Sequence, residues 1–429
     1  MLKFCAMGKI GIYVQVPFCQ TKCTYCNFHT GVVAKARFAP YVDAVCNEIR
    51  ERQKFYLEAG VSLLASPGEA AADTVYIGGG TPSLLGAADL ARILDAIRET
   101  FRSGEHTEEF GGRKSGGEPP HSKVPVSERG RYNRDSEVLL EVTLEADPET
   151  VEPEKADAWV KAGINRVSFG VQSFVNEELK AAGRMHRRED IYKAVPILRA
   201  AGIRNISFDL IAGLPHQTAE SWKRSLGELA VLEPEHVSVY VLEVDEGSRL
   251  GKELLQGGGR YSAGAVPSED EMAEFYEMAQ RELRTAGYHH YEISNWAKPG
   301  FESKHNLKYW KREPYLGFGA GAHSFSGTER WANAHDAAAY VEAIGQGRLP
   351  VEQHETISTE QALEEELFLG LRQLDGIDLS EIEKEYGVEL GARFEMLTSA
   401  GLVEREGSVV RLAEEKLSIS NEVFVELMR

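Results

Sequence analysis

Short apolar runs alternate with amphipathic stretches along most of this chain, and the alternation sets the expected fold. Residues 10–18 form a continuous apolar run that Pro17 stops, which predicts a buried strand ending in a loop. Residues 38–57 carry Tyr41, Val45, Ile49 and Tyr56 at helical spacing. A short strand over 74–77 follows, then a helix bearing Leu90, Ile93, Leu94, Ile97 and Phe101. Strands are predicted again at 138–144, 166–171, 206–211 and 237–242, with helices at 152–162, 191–201 and 222–232. Six consecutive βα-like units predict an α/β fold, an open three-quarter βα barrel rather than a closed eight-stranded one. Active sites of such barrels sit at the C-terminal ends of the strands.

Two stretches depart from this rhythm. Residues 103–136 hold six glycines and three prolines with no Leu, Ile or Met, too little apolar surface to offset ordering entropy, and predict a disordered surface insertion. From 355 onward two helical patterns, 379–386 and 390–400, precede a hairpin over 402–412 that turns at Gly407. Helix, helix and hairpin suggest a winged-helix-like module. The expected organisation is a barrel over 1–245, a linking segment over 246–354 and a C-terminal winged-helix or lid domain over 355–429.

Composition narrows the function classes. At 429 residues the chain exceeds one ordinary core. No apolar run approaches the roughly 18 residues of a membrane span. The first nine residues are too short and too broken by Lys for a signal peptide, so the reading is cytoplasmic. A net charge of −19 argues against a nucleic-acid backbone as partner. The C-terminal 75 residues, with 18 Asp and Glu against 7 Lys and Arg, make DNA binding by the winged-helix-like module still less tenable. Five cysteines without paired spacing suit a reducing compartment, and Cys5 and Cys46 read as ordinary thiols.

The remaining three, Cys19, Cys23 and Cys26, fall within eight residues on the loop behind the first strand. Three thiolates on one loop can hold three irons of a [4Fe–4S] cluster and leave the fourth open to a non-protein ligand. Zinc with His29 as a fourth ligand is a second reading, without the paired half that structural zinc sites show elsewhere. Inert thiols are a third. The triplet Gly78-Gly79-Gly80, followed by Thr81, lets backbone approach a ligand closely at the next strand end. Glu145, Gln172 and Asp209 are polar groups ending three successive apolar strands, where a carboxylate must face a pocket or be paired. Downstream, His305-Asn306 with Tyr309 and Trp310 offers an imidazole beside flat aromatic surfaces, a combination suited to haem iron and macrocycle but equally to core packing. The glycine-rich turn 317–325 brings His323 as a further candidate.

The C-x3-C-x2-C spacing, with Tyr25 before the last cysteine and Tyr13-Val14-Gln15-Val16-Pro17-Phe18 ahead of it, resembles the radical S-adenosylmethionine (SAM) superfamily in its coproporphyrinogen-oxidase-like branch. That resemblance implies a cluster on Cys19, Cys23 and Cys26, SAM on the open iron and an electron donor to the cluster. It implies SAM contacts from Tyr13, Tyr25, Gly79, Gly80, Thr81, Glu145, Gln172, Arg184, Asp209 and His323. Glu145 and Asp209 would lie near the ribose hydroxyls and Arg184 near a carboxylate. The string His-Asn-x-x-Tyr-Trp at 305–310 resembles the hallmark of HemW-type haem chaperones, which implies haem as cargo, His305 as its contact and haemoproteins as acceptors. The alternative is oxygen-independent coproporphyrinogen III dehydrogenase. That enzyme carries a further cysteine where this chain has Phe28, and a longer segment ahead of the cluster than the eighteen residues found here. Both departures point to the chaperone branch.

Overall fold

The computed structural model describes residues 9–59, 71–101 and 139–428. The expected insertion at 103–136, the first eight residues with Cys5, and Val138 lie outside them.

Six parallel strands form the centre of the fold, β1 (Ile10–Val16), β2 (Ala72–Gly79), β3 (Glu141–Ala146), β4 (Arg166–Gln172), β5 (Asn205–Ala212) and β6 (His236–Val241), adjacent in chain order. The connecting helices are α1 (Phe38–Ala59), α2 (Ala87–Thr100), α3 (Pro153–Ala162), α4 (Asn176–Ala181), α5 (Arg188–Ala201) and α6 (Ala219–Leu232). Pro153 sits in the first turn of α3, where its missing N–H is not needed, and Thr218 caps α6. Apolar residues recur at about every second position of these strands. Ile12, Val14, Val75, Ile77, Val142 and Leu144 are buried in the main core.

The other face of the strands is polar and aromatic. Parallel register sets Tyr13 beside Tyr76, Tyr76 beside Thr143 and Thr143 beside Arg166. One layer up, Glu145 neighbours Ser168, Ser168 neighbours Ser207 and Ser207 neighbours His236. A closed βα barrel fills these positions with Val, Ile and Leu. Here the interior is furnished to meet polar groups.

The sheet does not close. Its order is β12-β11-β10-β9-β1-β2-β3-β4-β5-β6-β8-β7, where β7 is His289–Glu292, β8 Asn295–Ala297, β9 Tyr315–Phe318, β10 His323–Phe325, β11 Glu329–Asn333 and β12 Val351–Thr356. The stretch 246–354, expected as a linking segment, therefore extends the sheet at both edges. β9 runs parallel to β1, and β10 to β12 continue antiparallel beyond it.

The C-terminal part holds a three-stranded sheet (Ile377–Asp378, Val403–Glu406 and Val409–Leu412) with helices Leu379–Tyr386 and Gly391–Ser399, the helix, helix and hairpin pattern expected from the sequence. It continues into the helix Ser420–Met428.

One buried carboxylate ties the added strands to the barrel. Glu48 of α1 is 1% exposed and accepts hydrogen bonds from Gly319 N (2.9 Å), Asn333 Nδ2 (2.7 Å) and Tyr340 OH (2.6 Å). Burial pushes its carboxyl up to about 7, against the pull of those three donors. A carboxyl raised in the folded state contributes stability that is complete below its unfolded pKa and lost as pH rises through about 7. Between about pH 4.5 and 7 this group should remove up to about 1.4 kcal/mol of stability per pH unit. Denaturant melts should show the stability advantage of the wild type over Glu48→Gln shrinking as pH rises through that window. A pH-independent difference would contradict the assignment.

Candidate active site

A cavity of about 610 Å³ opens at the C-terminal ends of the strands. Its volume falls in the range of sites for small molecules and cofactors.

The cysteine loop forms one wall. It leaves β1 at Pro17 and is closed on itself by Cys19 N to Gly31 O (3.0 Å) and Gly31 N to Pro17 O (2.9 Å). Thr24 N donates to Ala182 O (3.0 Å), Leu250 N donates to Thr24 O (2.8 Å), and Asn27 Nδ2 donates to Asp245 Oδ2 (2.9 Å). The loop is thus pinned by its backbone to the end of α4 and to the segment following β6. Cys19, Cys23 and Cys26 are free, half-buried and line the cavity. Burial pushes the Cys19 thiol up, and the Thr30 hydroxyl partly offsets this.

The Gly-rich end of β2 lies against this loop. Gly80 N donates to Val16 O (2.8 Å) and Thr81 N to Phe18 O (2.7 Å). A Cβ on Gly80 would stand 2.5 Å from Phe18 O, and Gly79 adopts φ +109° with Gln15 packed beside it. A side chain at Gly80 would push the strand off the root of the cysteine loop, and one at Gly79 would be strained by its positive φ and crowd Gln15 of β1.

Strands β3 to β5 supply the polar floor. Glu145 accepts from Gly79 N (2.9 Å) and Tyr76 OH (3.0 Å). Burial pushes its carboxyl up to about 7 against the Gly79 N–H, and nearby Asp209 adds to the rise. Burial also raises Asp209, against hydrogen bonds from Ser238 and Ser168. Gln172 ends β4 with φ +63°, a left-handed conformation uncommon outside glycine, which turns the chain at the cavity wall. Arg184 bridges Asp147, Gly170 O (2.8 Å) and Cys23 Sγ (3.5 Å), while its Nε is buried without a partner.

Eleven of the residues expected at the site line this one cavity: the three cysteines, Tyr25, Gly79, Gly80, Thr81, Glu145, Gln172, Arg184 and Asp209. Three expected residues do not. Tyr13 lies a layer deeper, stacked on Tyr76 (centroids 6.1 Å apart) and donating to Gln15 Oε1 (2.6 Å). His323 is exposed on β10, away from the cavity.

His305, the expected haem contact, lies in the interior. It belongs to the helix Lys304–Trp310, packed against β2 inside the barrel, and has 0% exposure. Its Nδ1 lies 3.0 Å from Thr74 Oγ1 and its Nε2 2.8 Å from Tyr309 OH. Its backbone N donates to Glu141 Oε1 (3.0 Å). Burial, with Lys308 and Arg166 nearby, pushes the imidazole down to about 3. Both ring nitrogens are within hydrogen-bond distance of protein hydroxyls.

The sequence reasoning passed over Asp147 and Arg372. Asp147 accepts from Thr81 Oγ1 (3.2 Å) and pairs with Arg184. Its signal was the period-two spacing from Glu145, carried one step past the strand end. Arg372 lines the cavity from the C-terminal part, pairs with Glu292 (3.4 Å) and stacks over the Trp310 ring (4.5 Å). No local pattern announces it. Leu417, Ser418, Ser420 and Asn421 complete that wall, so the C-terminal part closes over the cavity.

Comparison with known proteins places this arrangement. Residues 13–229 match the radical SAM superfamily and residues 357–415 the HemN C-terminal domain. The heme chaperone HemW of Bacillus subtilis is 33% identical over 416 residues, spanning 96% of this chain and 97% of that protein. The chain belongs to the HemW family of the radical SAM superfamily. The heme chaperone HemW of Lactococcus lactis is 32% identical over 96% of the chain and 95% of its own length. Among solved structures, coproporphyrinogen III oxidase (HemN) from Escherichia coli superposes with a TM-score of 0.76 at 21% identity, covering 98% of this chain and 90% of that one, which establishes the shared fold.

The radical SAM family implies a [4Fe–4S] cluster and SAM. The donor set fits: three unpaired thiols share one wall of a cavity whose floor is polar. Among the described residues no group of three or more His, Cys, Asp or Glu is placed to hold a single metal ion. Cluster thiolates each bind a separate iron, so the three sulfurs need not converge on one point. No helix among the described residues is long and apolar enough to cross a membrane.

Proposed function

We propose that this protein is a haem chaperone that carries a [4Fe–4S] cluster on Cys19, Cys23 and Cys26, binds SAM in the adjoining cavity, and passes haem to haemoproteins. The observation that carries the reading is end-to-end similarity to proteins named as heme chaperones, across 96% of this chain. When bound, the cluster supplies an electron and an open iron for SAM. The chain's own residues do the rest. Gly79 and Gly80 bring backbone to the ligand, and Glu145 and Asp209 offer carboxylates to hydroxyl donors from a polar floor. Arg184, anchored by Asp147, keeps one buried N–H free beside the thiols. Leu417 to Asn421 and Arg372 screen the cavity from water on its open side.

Phe28 supports the carrier reading over porphyrinogen decarboxylation, because the coproporphyrinogen-oxidising enzymes this chain resembles have a cysteine at that point of the motif. The test is a side-by-side assay of anaerobically reconstituted protein. Saturable binding of one haem per chain, with no protoporphyrinogen formed from coproporphyrinogen III, SAM and a reductant, is expected. Porphyrinogen turnover would replace this reading with the enzymatic one.

A further inference from the structure

We infer that SAM in the cavity and haem at His305 oppose each other's binding through Tyr76, a side chain that meets Glu145 with its hydroxyl and His305 with its ring. This rests on the carrier reading above, with His305 as the haem contact, and adds how that site is regulated.

Strand β2 carries the link. Thr74, Tyr76 and Gly78 alternate along it with the buried Val75 and Ile77, so period two sets the three on one face. Thr74 Oγ1 lies 3.0 Å from His305 Nδ1. Two residues on, the Tyr76 ring packs on the His305 ring, with centroids 5.4 Å apart and a tilt of 31°. The Tyr76 hydroxyl donates to Glu145 Oε1 (3.0 Å), and Tyr76 and Glu145 both line the cavity. Tyr13 packs on the same tyrosine ring (6.1 Å), which limits the positions open to it.

Two glycines make the room for this contact path. A Cβ on Gly78 would stand 2.8 Å from both Glu145 Oε1 and Tyr76 Cε1, and one on Gly11 would stand 3.2 Å from His305 Cε1. A side chain at Gly78 would part the tyrosine from the carboxylate.

The two ligands make opposite demands on Tyr76. Each His305 ring nitrogen lies within hydrogen-bond distance of a hydroxyl, so one of them reaches iron only after leaving Thr74 or Tyr309. That movement takes away the ring on which Tyr76 rests, and its hydroxyl loses its hold on Glu145. Gly79 N then remains as a donor to the carboxylate. Burial has already pushed this carboxyl up to about 7, and the lost bond is one that favours its charged form. A SAM hydroxyl that donates to Glu145 favours the ordered carboxylate, and with it a seated His305. By linkage the effect is equal in both directions, so SAM entering the cavity promotes release of haem.

The test is haem titration of cluster-reconstituted protein, followed at the Soret band, with and without saturating SAM. SAM should weaken haem binding about fivefold or more in the wild type. Saturating haem should weaken SAM binding by the same factor, read by equilibrium dialysis of labelled SAM. Tyr76→Phe keeps the ring and deletes the hydroxyl, so both ligands should still bind while the factor falls towards one. His289→Ala, on the edge strand β7, should keep the wild-type factor. A denaturant melt and iron analysis check that Tyr76→Phe is folded and loaded, and the wild-type comparison alone decides the sign if it is not. Equal haem affinity with and without SAM, tighter haem binding with SAM, or an undiminished factor in folded Tyr76→Phe would overturn the link and leave the carrier reading standing. Absence of saturable haem binding by the wild type would overturn both.

Discussion

Cys23→Ser should leave reconstituted protein with almost no bound iron or acid-labile sulfide. A serine oxygen is a poor ligand where a cluster is held by thiolates, and the loop offers no fourth cysteine to replace the lost one. The fold should survive. Thr24 N to Ala182 O, Leu250 N to Thr24 O and Gly31 N to Pro17 O hold the loop by its backbone, independent of any thiol. Without the cluster, the stability of the variant should stay within about 1 kcal/mol of the wild type. Iron and sulfide analysis beside a denaturant melt separates the two effects. A variant that retains a full complement of iron would contradict the ligand assignment.

Gly80→Ala should do the opposite, harming structure first and cofactor second. The added methyl meets Phe18 O at 2.5 Å and Val16 O at 2.9 Å, both of them backbone atoms that cannot rotate away. Overpacking of this kind destabilises by about 1–3 kcal/mol. Because Thr81 N to Phe18 O and Gly80 N to Val16 O join β2 to the root of the cysteine loop, the strain falls on the loop itself. The variant should show both a lowered unfolding free energy and poorer iron incorporation. Unchanged values for both would mean that β2 and the loop are not in the contact described here.

The parts of the fold readable from sequence were those with strong alternation. Strands β1 to β6 present aliphatic residues to the helices, and the polar residues at their ends, Glu145, Gln172 and Asp209, fall where period two puts them around the cavity. The added strands gave no such signal. β10 has three residues, and β12, Val-Glu-Gln-His-Glu-Thr, has no buried residue because it is a sheet edge. The chain around them is tied to the barrel through Glu48, some 270 residues earlier than Gly319, which no local pattern reveals. His305 shows the same limit at the site. Its neighbours in sequence mark it as special, but its partners Thr74 and Glu141 are 231 and 164 residues away, and they turn it into the barrel. Arg372 is likewise meaningful only once the C-terminal part has folded over the cavity.

Inside the barrel, Thr74 and Glu141 hold His305 and its helix in place. Polar residues at the strand ends form a rigid floor for the cavity, and the C-terminal part closes over it. Haem transfer tests the carrier reading most directly. Reconstituted protein loaded with one haem per chain is mixed anaerobically with an apo-haemoprotein, and the acceptor's Soret band is followed. Haem should leave this protein and appear in the acceptor in equal amount, with the cluster intact. Haem that stays bound while the acceptor remains empty would contradict it.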